Sequence, residues 1–115
     1  MADKKELKEN YKQIKPEMGV FVFKCLSSGK AYLGISQNIR AKLNSLVFQL
    51  NIGSYNKNEN LQSDWKKCGE KGFEIAISET LKYIEDESKT DYSGDLRILR
   101  DFCAEKYKFF EYIDN

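Results

Sequence analysis

The chain has 115 residues, which suits one domain with a single core. Apolar residues make up 41% of it, aromatic residues 13%, and there is one proline, a composition typical of a folded globular protein and not of a disordered chain. No apolar run approaches the ~20 residues that a membrane-spanning helix needs. The charged start contains no apolar signal region. We therefore expect a cytoplasmic protein that is not attached to a membrane.

The chain contains no histidine and three scattered cysteines, Cys25, Cys68 and Cys103. The lack of histidine excludes Ser-His-Asp and Cys-His catalysis and zinc sites of the Cys/His type. Any catalysis must use Tyr, Lys, Arg, Asp or Glu, with or without a hard metal such as magnesium. The cysteines are predicted to be reduced thiols that are buried as small apolar side chains.

The net charge is +1, but basic residues outnumber acidic ones over 1–72, whereas acidic residues dominate 73–115. A basic first half is typical of a surface that faces phosphate groups. Ordinary solvated lysines on helix faces explain the same pattern. The near-neutral total argues against a strong, non-specific nucleic-acid binder.

The first predicted elements are a helix and a hairpin. Leu7, Tyr11 and Ile14 share one face of a helix over 4–14, which Pro16 ends. Two β-branched and aromatic runs, over 19–25 and 30–35, follow with a Ser-Ser-Gly turn between them, which predicts a β-hairpin. Antiparallel pairing is expected to bring Phe21 and Tyr32 close together.

The rest of the chain alternates helix and strand. Asn38 is the last of three N-cap candidates before an apolar helical stripe that runs to about residue 51. Asn58 and Gly69 bracket a second helix, and 73–78 reads as a third strand. An acidic loop over 85–94 precedes a final helix over 95–113. This order predicts one α+β domain in which a small sheet packs against helices.

Two tripeptides, Gly19-Val20-Phe21 and Tyr32-Leu33-Gly34, resemble the pair of motifs that gives the GIY-YIG nuclease family its name. The run Asn60-Leu61-Gln62, followed by Asp64-Trp65, also resembles that family, and the likeness covers about 19–78. The resemblance implies a three-stranded antiparallel sheet flanked by helices. It divides the single domain, 1–115, into an N-terminal helical extension (1–16), a motif-bearing core (19–78) and a C-terminal helix (95–113), with Gly19, Phe21 and Gly34 as motif positions.

The resemblance further implies hydrolysis of DNA phosphodiesters with a divalent metal, Mg²⁺ or Mn²⁺. By position in the family pattern, Tyr32 and Lys42 are the catalytic candidates and Asp101 is the metal-ligand candidate, with Glu105 a turn away. Three further residues are candidate nucleic-acid contacts: Lys30, Arg40 and Asn60.

The sequence departs from the family pattern where the chemistry is expected. Phe21 lacks the hydroxyl of the first motif's tyrosine, Lys42 replaces an arginine, and Leu46 replaces a histidine. Arg100 stands beside Asp101, where its charge would repel a cation. Two hypotheses follow: a DNA endonuclease whose catalysis is weakened or lost, or a non-catalytic module of the same fold that binds nucleic acid or a protein.

Overall fold

The computed structural model describes residues 15–113 and shows a four-stranded sheet with helices on both faces. The strands are β1 (Met18–Cys25), β2 (Ala31–Ser36), β3 (Phe73–Leu81) and β4 (Phe110–Tyr112). The helices are α1 (Ile39–Ile52), α2 (Glu59–Cys68) and α3 (Ser93–Ala104), and a 3-10 turn, Glu70–Gly72, joins α2 to β3. The helix predicted over 4–14 lies outside the described residues.

The predicted hairpin is present. The strand order is β3-β1-β2-β4, and β1 pairs antiparallel with both β2 and β3. Phe23 lies opposite Tyr32, and Phe21 lies opposite Gly34. Phe21 and Tyr32 therefore share a face as diagonal neighbours and are not a directly opposed pair.

The fourth strand corrects two predictions, the three-stranded sheet and the helix over 95–113. α3 ends at Ala104, and β4 then pairs parallel with β2. Phe110 and Ile113 are three residues apart, which resembles helical spacing, but Ile113 is buried in a core cluster and its amide donates to the Leu33 carbonyl at 2.8 Å. The unpaired edge of β2 needs backbone partners, and β4 supplies them.

The other helix boundaries follow the local signals in the sequence. The side chain of Asn38 accepts from the Ala41 amide at the start of α1, and that of Asn58 accepts from the Leu61 amide at the start of α2. Both caps satisfy amides that a helix start leaves without an intrahelical partner. Within the described residues, no helix is long and apolar enough to cross a membrane.

Alternate residues of the hairpin face two separate cores, as the pleat of a strand requires. Helices α1 and α2 cover one side, which we call the α1–α2 face, and α3 covers the other, which we call the α3 face. The α1–α2 face buries Phe21, Phe23, Cys25, Tyr32, Ile39, Leu46, Leu50, Leu61 and Trp65. The α3 face buries Val20, Val22, Ala31, Leu33, Cys103 and Ala104. This division decides which candidate site residues can meet.

Candidate functional site

The glycines of both tripeptides are required by close packing. A Cβ atom on Gly34 would lie 2.3 Å from Cζ of Phe21, and one on Gly19 would lie 2.1 Å from the Glu79 carbonyl oxygen. Both contacts are far inside van der Waals distance. The Phe21 ring therefore fills the space that Gly34 leaves open, and the motif serves as a packing unit of the hairpin.

Tyr32 is fully buried on the α1–α2 face. Its ring centre lies 6.5 Å from that of Phe73, and its hydroxyl donates to Oδ2 of Asp64 at 2.5 Å. Burial raises the pKa of Tyr32 far above its ordinary value, and the hydrogen bond to Asp64 and the negative charge of that carboxylate raise the pKa further. The hydroxyl thus stays protonated and donates its hydrogen bond to Asp64 on α2.

A polar group on β4 reaches the same region. Glu111 accepts from the Lys30 ammonium at 2.7 Å and from the Asn60 amide at 3.1 Å. Lys30 also stands 4.9 Å from the centre of the Tyr32 ring. Burial alone would raise the pKa of Glu111, but the hydrogen bonds from Lys30 and Asn60 outweigh burial and lower the pKa. We call Lys30, Asn60 and Glu111 the Glu111 cluster.

Two of the three predicted nucleic-acid contacts therefore have an internal partner. Lys30 and Asn60 both bind Glu111, while Arg40 is exposed on the first turn of α1. Lys30 precedes β2 and Arg40 follows it, so the two residues lie beyond opposite ends of a six-residue strand, which is about 20 Å long at the usual rise per residue. The structure does not bring the three together.

Lys42 and Leu46 lie on the part of α1 that faces the sheet. Leu46 is buried in the core, as its place in the apolar stripe predicts. Lys42 is half-buried, one turn beyond the buried Ile39 and one turn before Leu46. Its position places it on the same side of the sheet as Tyr32.

Asp101 lies on the other side of the sheet from Tyr32. It belongs to α3, and its Oδ1 accepts from the Tyr112 hydroxyl at 2.5 Å. The guanidinium of Arg100 is 3.8 Å from the centre of the Tyr112 ring, and its Nε is 3.9 Å from the same Asp101 oxygen. Tyr112 packs against the α3 face, so this group is separated from Tyr32 by the sheet.

The side chains around Asp101 do not suit a divalent cation. A metal ion bound there would compete with the Tyr112 hydroxyl for the Asp101 carboxylate and would lie next to the buried positive charge of Arg100. Across residues 15–113, no group of three or more acidic or cysteine side chains is arranged to hold a metal. We therefore derive no catalytic step through Mg²⁺ or Mn²⁺ at Asp101.

Sequence reasoning overlooked the two carboxylates that act on Tyr32. Asp64 lies in the run that resembles the family, and its place on an amphipathic helix between Leu61 and Trp65, both buried, could have marked it as facing the sheet. Glu111 carried no such signal, because its segment reads as the end of a helix. The tertiary position of β4 alone places it near Tyr32.

The fold is similar to that of a solved endonuclease domain. The catalytic domain of homing endonuclease I-TevI matches with a TM-score of 0.64 at 19% identity, over 85% of this chain and 99% of that domain. A mutant of the catalytic domain of intron endonuclease I-TevI matches with a TM-score of 0.59 at 20% identity, over 79% and 84%. No family model matches the sequence, and no curated protein does so either. I-TevI is a GIY-YIG endonuclease, so the α+β fold that the resemblance implies is confirmed.

Proposed function

We propose that this chain is a GIY-YIG-like domain that binds DNA and has lost phosphodiester hydrolysis. The observation that carries the second half of the proposal is the state of Tyr32. Its hydroxyl is fully buried and donates to Asp64, and its raised pKa keeps it protonated. A group that activates water must be able to accept a proton within reach of that water. Tyr32 meets neither condition.

The other candidate positions add to the same conclusion. Phe21 has no hydroxyl and is fully buried beneath Gly34. Asp101 lies on the α3 face, beyond reach of the hairpin tyrosine. Hydrolysis needs positive charge or donors at the phosphate and a deprotonated water together, and losing one such donor costs about 10²–10³ in rate. Several losses in one site leave a domain with the fold and without the reaction.

DNA binding is supported by the fold and by the basic first half of the chain. Arg40 and Asn60 are the exposed members of the three predicted contacts, but Asn60 is bonded to Glu111. Arg40 lines a groove of about 590 Å³ with Lys15, Asn38 and Asn44, beside the carboxylate of Glu17. An exposed guanidinium next to amide side chains is suited to contact with a phosphate backbone. We assign the DNA contact to this end of α1.

Binding can be tested with Arg40→Ala and the matched control Arg97→Ala, which removes an exposed arginine from α3 on the other side of the sheet. Fluorescence anisotropy with labelled duplex and branched DNA over a salt series would give the affinities. We expect Arg40→Ala to weaken binding and to lower the salt slope by about 1, as the loss of one phosphate contact does. Arg97→Ala should match the wild type. An absence of binding at low salt, or equal effects of the two changes, would refute the assignment.

A protein partner is the second candidate, and a specific observation favours it. Ile98 and Phe102 are one turn apart on α3 and are 72% and 63% exposed, and Phe109 is 64% exposed just before β4. Exposed apolar side chains on one helix face, as Ile98 and Phe102 are, commonly mark an interaction surface. If Phe102→Glu abolishes self-association in sedimentation while DNA binding is unchanged, this surface serves a second copy of the chain. If the wild type is monomeric at all concentrations, that reading fails.

A further inference from the structure

Two cysteines that are distant in sequence meet at one end of the sheet. Cys25 is the last residue of β1 and Cys68 the last of α2, and their Sγ atoms are 4.0 Å apart. The Ser27 hydroxyl lies 3.4 Å from the first sulfur and 3.6 Å from the second. Neither is in a disulfide, nor is Cys103, which is buried on the α3 face.

The backbone around the two thiols keeps them adjacent. The Leu26 amide, directly after Cys25, donates to the Gly72 carbonyl at 3.0 Å, which ties the hairpin to the turn that follows α2. A Cβ atom on Gly72 would lie 2.6 Å from Cβ of Cys68, so only glycine permits this approach. Bringing the sulfurs to bonding distance requires a further approach of ~2 Å, which side-chain rotation can supply.

We propose that Cys25 and Cys68 form a redox-sensitive dithiol that a peroxide converts reversibly into an intramolecular disulfide. The inference is independent of DNA binding and of the loss of hydrolysis. Disulfides that form inside reducing compartments are usually transient and redox-sensing, and this pair has the proximity that such a role requires.

The two thiols are suited to different steps. Cys68 is partly exposed, so its sulfur can attack the O–O bond of hydrogen peroxide, giving a sulfenic acid and one water. Cys25 then attacks the sulfenic sulfur, the S–S bond forms, and the displaced hydroxide takes a proton to become a second water. Two thiols are thereby oxidised and one peroxide is reduced to two waters.

The surroundings of Cys25 favour its role as the attacking thiolate. Burial alone would raise the pKa of the Cys25 thiol, but hydrogen bonds from Ser27 and Ser28 outweigh burial and lower the pKa to about 7. The thiolate is the nucleophilic form in disulfide chemistry. A substantial fraction of Cys25 is therefore ready to react at neutral pH.

The bond would fasten α2 to the hairpin next to the Tyr32 contact. Asp64, which accepts the Tyr32 hydroxyl, lies one helical turn before Cys68. A cross-link between 25 and 68 encloses a long loop, which constrains the unfolded chain strongly. We expect the oxidised form to have a higher Tm than the reduced form and to return to the lower value on treatment with dithiothreitol.

Peptide mapping tests the proposal directly. The full chain would be treated with graded hydrogen peroxide, blocked with N-ethylmaleimide in denaturant so that buried thiols also react, and digested with trypsin without reduction. We expect peptide 25–30 linked to peptide 68–71, while peptide 101–106, which carries Cys103, remains maleimide-labelled as the internal control. Three unlinked cysteines at every dose, a sulfinic acid on Cys68 without a cross-link, or disulfide-linked dimers would each overturn the proposal.

Variants separate the two steps. In Cys25→Ser the sulfenic acid on Cys68 has no resolving partner, so dimedone should label Cys68 in this variant much more than in the wild type. Cys103→Ser retains the pair and should form the same cross-link as the wild type. Equal dimedone labelling of Cys68 in Cys25→Ser and in the wild type would show that Cys25 does not resolve the sulfenic acid, and would overturn the assigned steps.

Discussion

At the scale of single residues, Tyr32 has a structural role that can be measured through the pH dependence of stability. Its pKa is raised in the folded protein above the ordinary value of 10.0, because of burial first and then the bond and charge of Asp64. The unfolded chain therefore loses this proton before the folded chain does. The stability that Tyr32 contributes is complete below about pH 10 and is lost as the pH rises above that value.

We predict that the free energy of unfolding of the wild type falls steeply above about pH 10, and that Tyr32→Phe falls less steeply. At neutral pH the variant should be less stable by about 1 kcal/mol, because Asp64 loses its donor. Urea unfolding across this pH range would give both quantities. Tyr107→Phe, which alters another half-buried tyrosine, should retain the steep fall. Identical pH profiles for the wild type and Tyr32→Phe would contradict this account of Tyr32.

Replacing glycine with alanine is expected to lower the stability of the protein at Gly34 and to raise it at Gly94. Gly34→Ala would drive a methyl group into the Phe21 ring and should destabilise the protein by ~1–3 kcal/mol. Gly94→Ala, in the first turn of α3 with nothing within 4 Å, should stabilise it by ~0.5 kcal/mol. Thermal unfolding of the two variants distinguishes them. A neutral Gly34→Ala would mean that the motif glycine is not a packing requirement.

The sequence predicts residues well where the signal is local. Asn38 and Asn58 were identifiable as caps from the residues that follow them, and Leu46 from its apolar stripe. The partners of Tyr32 were not identifiable, because Asp64 and Glu111 meet it only through the packing of α2 and β4. Likewise, no spacing rule indicates that Cys25 and Cys68 meet.

At the scale of elements, β4 distinguishes this fold from the predicted one. It is three residues long and pairs parallel with β2, and the ion pair of Glu111 with Lys30 attaches it to the start of that strand. The pKa of Glu111 is lower in the folded protein than its ordinary value of 4.5. The stability that this contact contributes is therefore complete above about pH 4.5 and is lost as the pH falls through the pKa of the folded state.

We predict that Glu111→Gln destabilises the protein by about 1 kcal/mol at neutral pH and that the difference from the wild type disappears in acid. Amide hydrogen exchange at Ile113, which bonds to the Leu33 carbonyl, should accelerate in the variant, because β4 is less firmly attached. Glu105→Gln, an exposed change at the end of α3, serves as the control and should have neither effect. If Glu111→Gln remains less stable than the wild type by the same amount in acid, the ion pair is not the cause of the destabilisation.

The C-terminal segment, 95–113, shows why the spacing of apolar residues does not suffice to distinguish a helix from a short strand. The apolar residues from Leu96 to Cys103 do belong to a helix, but Phe110 and Ile113 extend the same pattern while lying in or next to a strand. A strand of three residues is too short for its alternation to be recognised, and its conformation depends on tertiary contacts, chiefly its pairing with the edge of β2.

At the scale of the whole molecule, the sheet separates the residues that the family resemblance would join. Tyr32 and the half-buried Lys42 lie on the α1–α2 face, whereas Asp101 and Arg100 lie on the α3 face against Tyr112. On each face, a carboxylate and a tyrosine hydroxyl are hydrogen-bonded to one another: Asp64 accepts from Tyr32, and Asp101 accepts from Tyr112. The molecule thus has the fold of a nuclease domain, and the contacts of Tyr32 and Asp101 support our proposal that these groups are structural.

The most direct test of this account is a single-turnover cleavage assay, with excess folded protein incubated with supercoiled DNA in Mg²⁺, in Mn²⁺ and in chelator, alongside Tyr32→Phe. We predict no metal-dependent nicking by the wild type, and none by Tyr32→Phe. Nicking that requires metal and is lost in Tyr32→Phe would contradict the account, because it would show that the buried hydroxyl takes part in the hydrolysis of DNA.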